Sequence, residues 1–284
     1  MASGGVRAVR SDATWAAVEP NPPINGIHIY NWSSTDAVIG ALAQHGLRWQ
    51  PVLDYSAKWA SQIPGDEHAP PKAVDDYAAY ARAFTARYGD GGLFWTLHPE
   101  LKALPVRSYE IWNEENLQYF WHTGVDPNGY ADLYAAARQA IHAQMSSAQV
   151  MVGGLSPGGT DAPKYIEAME NHRPDLRGNL DAVAIHPYAS SEPAAIGGSA
   201  ATTDAARAQQ LSQLTSDLAR SDCGVTGIAP YRWLGNQAAG GAEAGFGLVD
   251  ASGTQSQAAQ AYLATIRDQE AGKLQPGTVK SCFG

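Results

Sequence analysis

Short apolar runs alternate along the chain with longer stretches in which apolar residues recur every three or four positions. The runs at 6–9 (VRAV), 49–53 (WQPVL), 107–112 (RSYEIW), 149–153 (QVMVG), 180–186 (LDAVAIH) and 224–229 (GVTGIA) predict six strands. The helical periodicity predicts helices over 35–45, 71–88, 128–146, 162–171, 203–220 and 254–269. Gly46 and Gly89 follow the first two as C-caps, and Asp204 stands where it can cap the fifth. Strands alternating with helices of this length pair in parallel, because a crossover helix carries the chain back to the same end of the sheet. Two small, polar or Gly/Ala-rich stretches, 190–203 and 237–247, read as loops.

The 284 residues suit one large domain over 1–284, since eight-stranded parallel barrels run to about 250 residues. The fold class expected is therefore α/β, of the (β/α)8 TIM-barrel type, with six of the eight strands recognisable. Nothing ahead of 6–9 reads as a strand, and 189–203 leaves no room for a helix and a strand, so the missing pair is assigned there.

Hydrophobic residues make up 44% and charged ones 17%, enough for a folded core. A net charge of -9 repels polyanions, so neither nucleic acid nor an anionic membrane is an expected partner. No run of 18 apolar residues predicts a membrane span, and the residues ahead of the first strand do not read as a leader peptide, so none is expected here. The eight histidines form no HxxxH or HxxE pair and the two cysteines no CxxC, so no metal site is expected. Neither a GxGxxG nor a P-loop pattern occurs, so no nucleotide cofactor is expected. Eight tryptophans and thirteen tyrosines are many. Flat aromatic faces suit sugar rings, but for any single one the core is the better reading.

The sharpest motif is 109–116 (YEIWNEEN), a strand running into Asn113-Glu114. In a parallel barrel the chemistry sits at the C-terminal ends of strands. Cleaving a glycoside needs one carboxylic acid to protonate the departing oxygen and a second carboxylate to attack or stabilise the anomeric carbon. Glu114 suits the first role, and Asn113 could bond a sugar hydroxyl.

This octet resembles the acid/base motif of clan A glycoside hydrolases, most closely family 39-like members. Segments 49–59, 86–99, His186-Pro187-Tyr188, Tyr231-Arg232-Trp233 and 246–250 also resemble pieces of those enzymes. The resemblance implies a carbohydrate substrate, no cofactor, a retaining mechanism with Glu114 as acid/base, and Asn113, His186, Tyr188 and Trp233 around the sugar. It also implies a nucleophilic Glu at the end of the seventh strand, in a Thr-Glu-Phe-Gly-like run that is absent here. Between Tyr188 and Gly224 the sole Glu is Glu192, followed by Pro193, which disfavours a strand. The alternative is a non-catalytic carbohydrate-binding barrel that has lost its nucleophile. Extracellular location follows from the family and from a Cys223–Cys282 disulfide, with two buried thiols as the alternative. Arg10, Asp12 and Asp54, near strand ends, could bind hydroxyls, although ion pairing is the commoner use of such residues. His186 could instead be a core histidine bonded to backbone, and Trp233 could pack under the last helix.

Residues 154–158 (GLSPG) fit the G-x-S-x-G nucleophile elbow. That motif takes an oxyanion-hole N–H from the residue after the serine, which here is Pro157, so the match is assigned to a loop.

Overall fold

The computed structural model describes residues 1–2, 5–186, 204–221, 224–230, 232–234 and 247–277. The chain divides into two compact units, Arg7–His186 and a second made of Met1–Val6 with Pro187–Gly284.

The first unit runs β1 (Ala8–Thr14), α1 (Trp15–Val18), α2 (Ser33–Gln44), β2 (Arg48–Asp54), α3 (Val74–Tyr88), α4 (Leu93–Leu97), β3 (Ser108–Ile111), α5 (Pro127–Gln144), β4 (Gln149–Leu155), α6 (Ala162–His172) and β5 (Ala182–Ile185). The five strands form one parallel sheet in sequence order. Each crossover therefore leads to the adjacent strand, the winding of a (β/α)-barrel. β2, β3 and β4 are buried at nearly every position, while β1 and β5 are largely half-buried or exposed. Buried strands lose the in–out alternation, which is why their sequences read as unbroken apolar runs. Register places Thr14 beside Asp54, Leu53 beside Ile111 and Ile111 beside Val152, so the C-terminal ends line up along one rim.

Tyrosines fasten helices to the sheet. From α3, Tyr77 donates to the Leu53 carbonyl and Tyr80 to that of Ala13 at 2.6 Å. From α5, Tyr130 donates to Ile111 O at 2.7 Å and Tyr134 to Val150 O at 3.0 Å. Spacings of three and four residues put each pair on one helix face. These rings, with Trp15, Phe84, Trp112 and Trp121, are fully or almost fully buried. Most of the aromatic surplus is thus core.

In the second unit α7 (Asp204–Arg220) and α8 (Gln257–Glu270) enclose Leu211, Leu248, Val249, Tyr262 and Leu263. Ser256 caps α8 by accepting from the Ala259 N–H at 3.0 Å. Asp204, expected to cap its own helix, accepts instead from the N–H groups of Gln257 at 2.6 Å and Ala258 at 3.2 Å. Two carboxylate oxygens on free helix donors suit the positive N-terminal end.

The six expected strands become five among the described residues. Residues 224–229 form no strand among the described residues, and Gly224 has φ +67°. The first strand is displaced to Ala8–Thr14, two residues beyond the apolar start of the run, because pairing with β2 and not hydrophobicity fixes its length. The helices α1 and α4 were not anticipated; elements of four and five residues are too short to carry a 3.6-residue period. Among the described residues no helix is long and apolar enough to cross a membrane, and no three His, Cys, Asp or Glu side chains gather as a metal site. Cys223 and Cys282 lie outside the described residues.

Candidate active site

The chain leaves β3 through two departures from ordinary backbone within three residues. Trp112 (φ 68°) and Glu114 (φ 50°) both occupy the left-handed region, with Asn113 between them. A side-chain-bearing residue there costs on the order of 1–3 kcal/mol. The surrounding bonds hold it. Trp112 N–H donates to Leu53 O at 3.0 Å, Leu117 N–H to Glu114 O at 2.8 Å, and the Trp112 indole to Phe120 O at 2.7 Å. The turn sends two adjacent glutamates to different places. Glu114 retains 12% of its side-chain exposure, whereas Glu115 retains none.

Glu114 Oε1 lies 2.7 Å from Nδ1 of His186, which follows β5. His186 donates its own backbone N–H to Leu155 O at 2.9 Å, so β4 places the ring. Gly154 makes the room: a Cβ there would stand 2.0 Å from His186 Nε2. Its neighbour Gly153 does the same for Glu115, whose Oε2 a Cβ would meet at 2.3 Å. Burial raises the Glu115 carboxyl well above the usual carboxylate range, favouring its protonated form.

Asn113 is set from β1. Arg10 grips the fully buried Glu110 with two bonds, Nε to Oε2 at 2.8 Å and Nη2 to Oε1 at 2.7 Å. The same Nη2 donates to Asn113 Oδ1 at 2.9 Å. The amide nitrogen of Asn113, 3.5 Å from the Tyr55 hydroxyl, is thereby turned toward β2. Asp54 closes this end of β2, fully buried and with no hydrogen-bond partner on either oxygen. Burial, reinforced by the negative charge of Asp12, raises its carboxyl well above the ordinary range.

Arg10 thus takes the ion-pairing role, and Asp12 is exposed on β1. The His186 ring bonds Glu114, an arrangement outside the two considered from sequence. Trp233 packs beside α8 in the second unit. Tyr188 and Glu192 lie outside the described residues. Three supports were missed: Glu110 behind Arg10, Gly153 behind Glu115 and Gly154 behind His186. A Gly-Gly pair ending a buried apolar strand was their one available signal. Ser156 of the elbow-like motif is held as a loop. Asn116 accepts from its N–H at 3.0 Å and donates to its carbonyl at 2.7 Å and to that of Thr160 at 2.8 Å.

Parallel strands wound in sequence, with an Asn-Glu pair at the C-terminal end of one of them, define the class: a glycoside hydrolase of the (β/α)-barrel type. The sequence model of glycosyl hydrolases family 39 matches residues 70–219, more than half of the chain, and the protein belongs to that family. Among solved structures, the GH39 enzyme from Xanthomonas axonopodis pv. citri matches with TM-score 0.62 at 17% identity, over 98% of this chain and 68% of that one. A monomeric beta-xylosidase from Caulobacter crescentus CB15 matches with TM-score 0.60 at 17% identity, over 92% and 61%. A family 39 glycoside hydrolase from the gut symbiont Bacteroides cellulosilyticus WH2 gives 0.63 at 16%, over 93% and 59%. At such identities the likeness is one of fold. The chain spans between 59% and 68% of the length of these three proteins. No curated protein matches it in sequence.

Proposed function

We propose that the protein hydrolyses O-glycosidic bonds of oligo- or polysaccharides with retention of configuration, with Glu114 as acid/base. The observation that carries this reading is the different treatment of four neighbouring acids. Glu110 is locked to Arg10, Asp54 and Glu115 are fully buried with their carboxyl pKa raised by that burial, and Glu114 alone of the four stays open at the rim. In the first step a carboxylate nucleophile bonds to the anomeric carbon as the bond to the leaving oxygen breaks, and Glu114 gives that oxygen its proton. In the second, Glu114 takes a proton from water as the water oxygen displaces the nucleophile. His186 positions the Glu114 carboxyl throughout. Asn113, its carbonyl taken by Arg10, offers its amide N–H to a sugar hydroxyl. Glu110, Asp54 and Glu115 are each unsuited to the nucleophilic role by lock or burial, so none of the three is proposed as the second carboxylate.

The test is turnover of aryl glycosides. An aryl β-xyloside is the first to try, because one fold neighbour is named a beta-xylosidase. Glu114→Gln is expected to lower turnover by about 10²–10⁴-fold, with azide restoring part of it as glycosyl azide. Unchanged turnover, or a first-formed product of inverted anomeric configuration, overturns the proposal.

A further inference from the structure

The segment that follows Glu114 passes through the buried Glu115 and Asn116 and then surfaces before Trp121 returns it to the core. It carries Tyr119 outward to 70% exposure, the most exposed large hydrophobic residue described. Tyr119 is not isolated. Its ring meets Phe120 edge-on at 4.9 Å and His68 at 6.0 Å. Phe120 lies parallel to Tyr55 at 6.2 Å, and Tyr55 meets His68 at 4.4 Å. The row therefore runs from Tyr55, whose hydroxyl approaches Asn113, to a ring in open solvent.

The base of the row is fixed. The Trp112 indole holds Phe120 O, and the His122 N–H donates to His68 O at 3.1 Å, tying the two loops together. One polar pair borders the rings: His122 Nδ1 lies 2.7 Å from Asp66 Oδ2, the histidine exposed and the aspartate half-buried, and the His122 ring is 5.1 Å from that of His68. An aromatic face bordered by a histidine and a carboxylate fits a pyranose, which presents a flat C–H face and a hydroxyl edge. A peptide or lipid partner would not need that polar border.

We propose that Tyr119, Phe120, Tyr55 and His68 form the binding site for the ring of the departing group, either the next sugar or an aryl aglycone. This rests on Glu114 being the proton donor. A proton donor acts on the leaving oxygen, so the group attached to that oxygen lies on the donor's side. The loop bearing Tyr119 begins at Glu114 itself. Tyr119 grips the ring face, and His122 with Asp66 meets its hydroxyls.

The test is binding, which does not require turnover. Dissociation constants are measured calorimetrically for matched phenyl and methyl β-glycosides of xylose, glucose, galactose and mannose, using the full chain and Tyr119→Ala. An exposed side chain leaves little packing to lose, so the variant should fold; thermal unfolding checks this. At least one phenyl glycoside should bind more tightly than its methyl partner by about five- to tenfold, the scale of one aromatic contact, and Tyr119→Ala should erase the preference. Tyr119→Phe should retain it. The proposal falls if no pair differs by more than twofold, or if the preference survives Tyr119→Ala. A ring preference lost in Tyr119→Ala in a protein without hydrolytic turnover would uphold this site and overturn the proposed activity. Turnover that depends on Glu114 without any ring preference would do the reverse.

Discussion

The ends of β3 and β4 lie side by side on the same rim and solve opposite problems. β3 ends in strain: two side-chain-bearing residues with positive φ aim Asn113 and Glu114, and bulky neighbours hold them. β4 ends in vacancy: Gly153 and Gly154 contribute no side chain, so the Glu115 carboxyl and the His186 ring can occupy the space. One strand supplies the chemistry and the other the room for it. A catalytic group needs both, because orientation without space would clash and space without orientation would leave the carboxyl mobile.

The largest effect should come from removing the brace on the β3 side. Arg10→Met leaves Glu110 buried without its cation, and breaking such a pair costs about 3–5 kcal/mol. Denaturant unfolding measures it. A cost under 1 kcal/mol would mean that the strained turn does not depend on Arg10. The β4 side breaks next, by addition instead of loss. Gly153→Ala places a methyl within 3 Å of Glu115 Oε2, Ile111 O and Trp112 O, two of them backbone atoms. Overpacking of this kind costs about 1–3 kcal/mol, read as a lowered Tm. Gly154→Ala should instead displace the His186 ring, a more movable obstacle, with a smaller loss of stability and a larger fall in turnover than Gly153→Ala. Equal effects of the two on both readouts would erase the division of labour between them.

The smallest effect concerns pH. Burial holds the proton on Glu115 in the folded chain, while the unfolded chain releases it near pH 4.3. Above that pH the folded state binds more protons than the unfolded, so this group's contribution to stability falls as pH rises toward its folded pKa. Glu115→Gln, which cannot ionise, should show a shallower decline of unfolding free energy between pH 5 and 8 than the parent. Parallel curves would show that Glu115 is not sealed as β4 arranges it.

Much of the framework was legible because periodicity reports burial. Helices α2, α3, α5, α6, α7 and α8 fall within three residues of their expected bounds, since each buries one face. Strands β2, β3 and β4, buried on both sides, appear as apolar runs for the same reason. The run at 224–229 forms no strand among the described residues, since apolar composition alone does not fix a hydrogen-bonding partner. At the rim, YEIWNEEN singled out Glu114 by its resemblance to a family motif, whereas the difference in burial between Glu114 and Glu115 is visible only in the folded chain. Arg10 and Glu110 were each visible, but their pairing spans a hundred residues.

By itself the sequence determined the order and type of most elements, the parallel winding that follows from them, and the Asn-Glu pair at a strand end. These depend on local spacing and on the turn chemistry of nearby residues. Only the tertiary structure decided which acid stays open, which acids are sealed, and what holds His186 against Glu114. Those outcomes depend on which distant groups share a buried volume, and burial is a property of the packed chain, not of any segment within it.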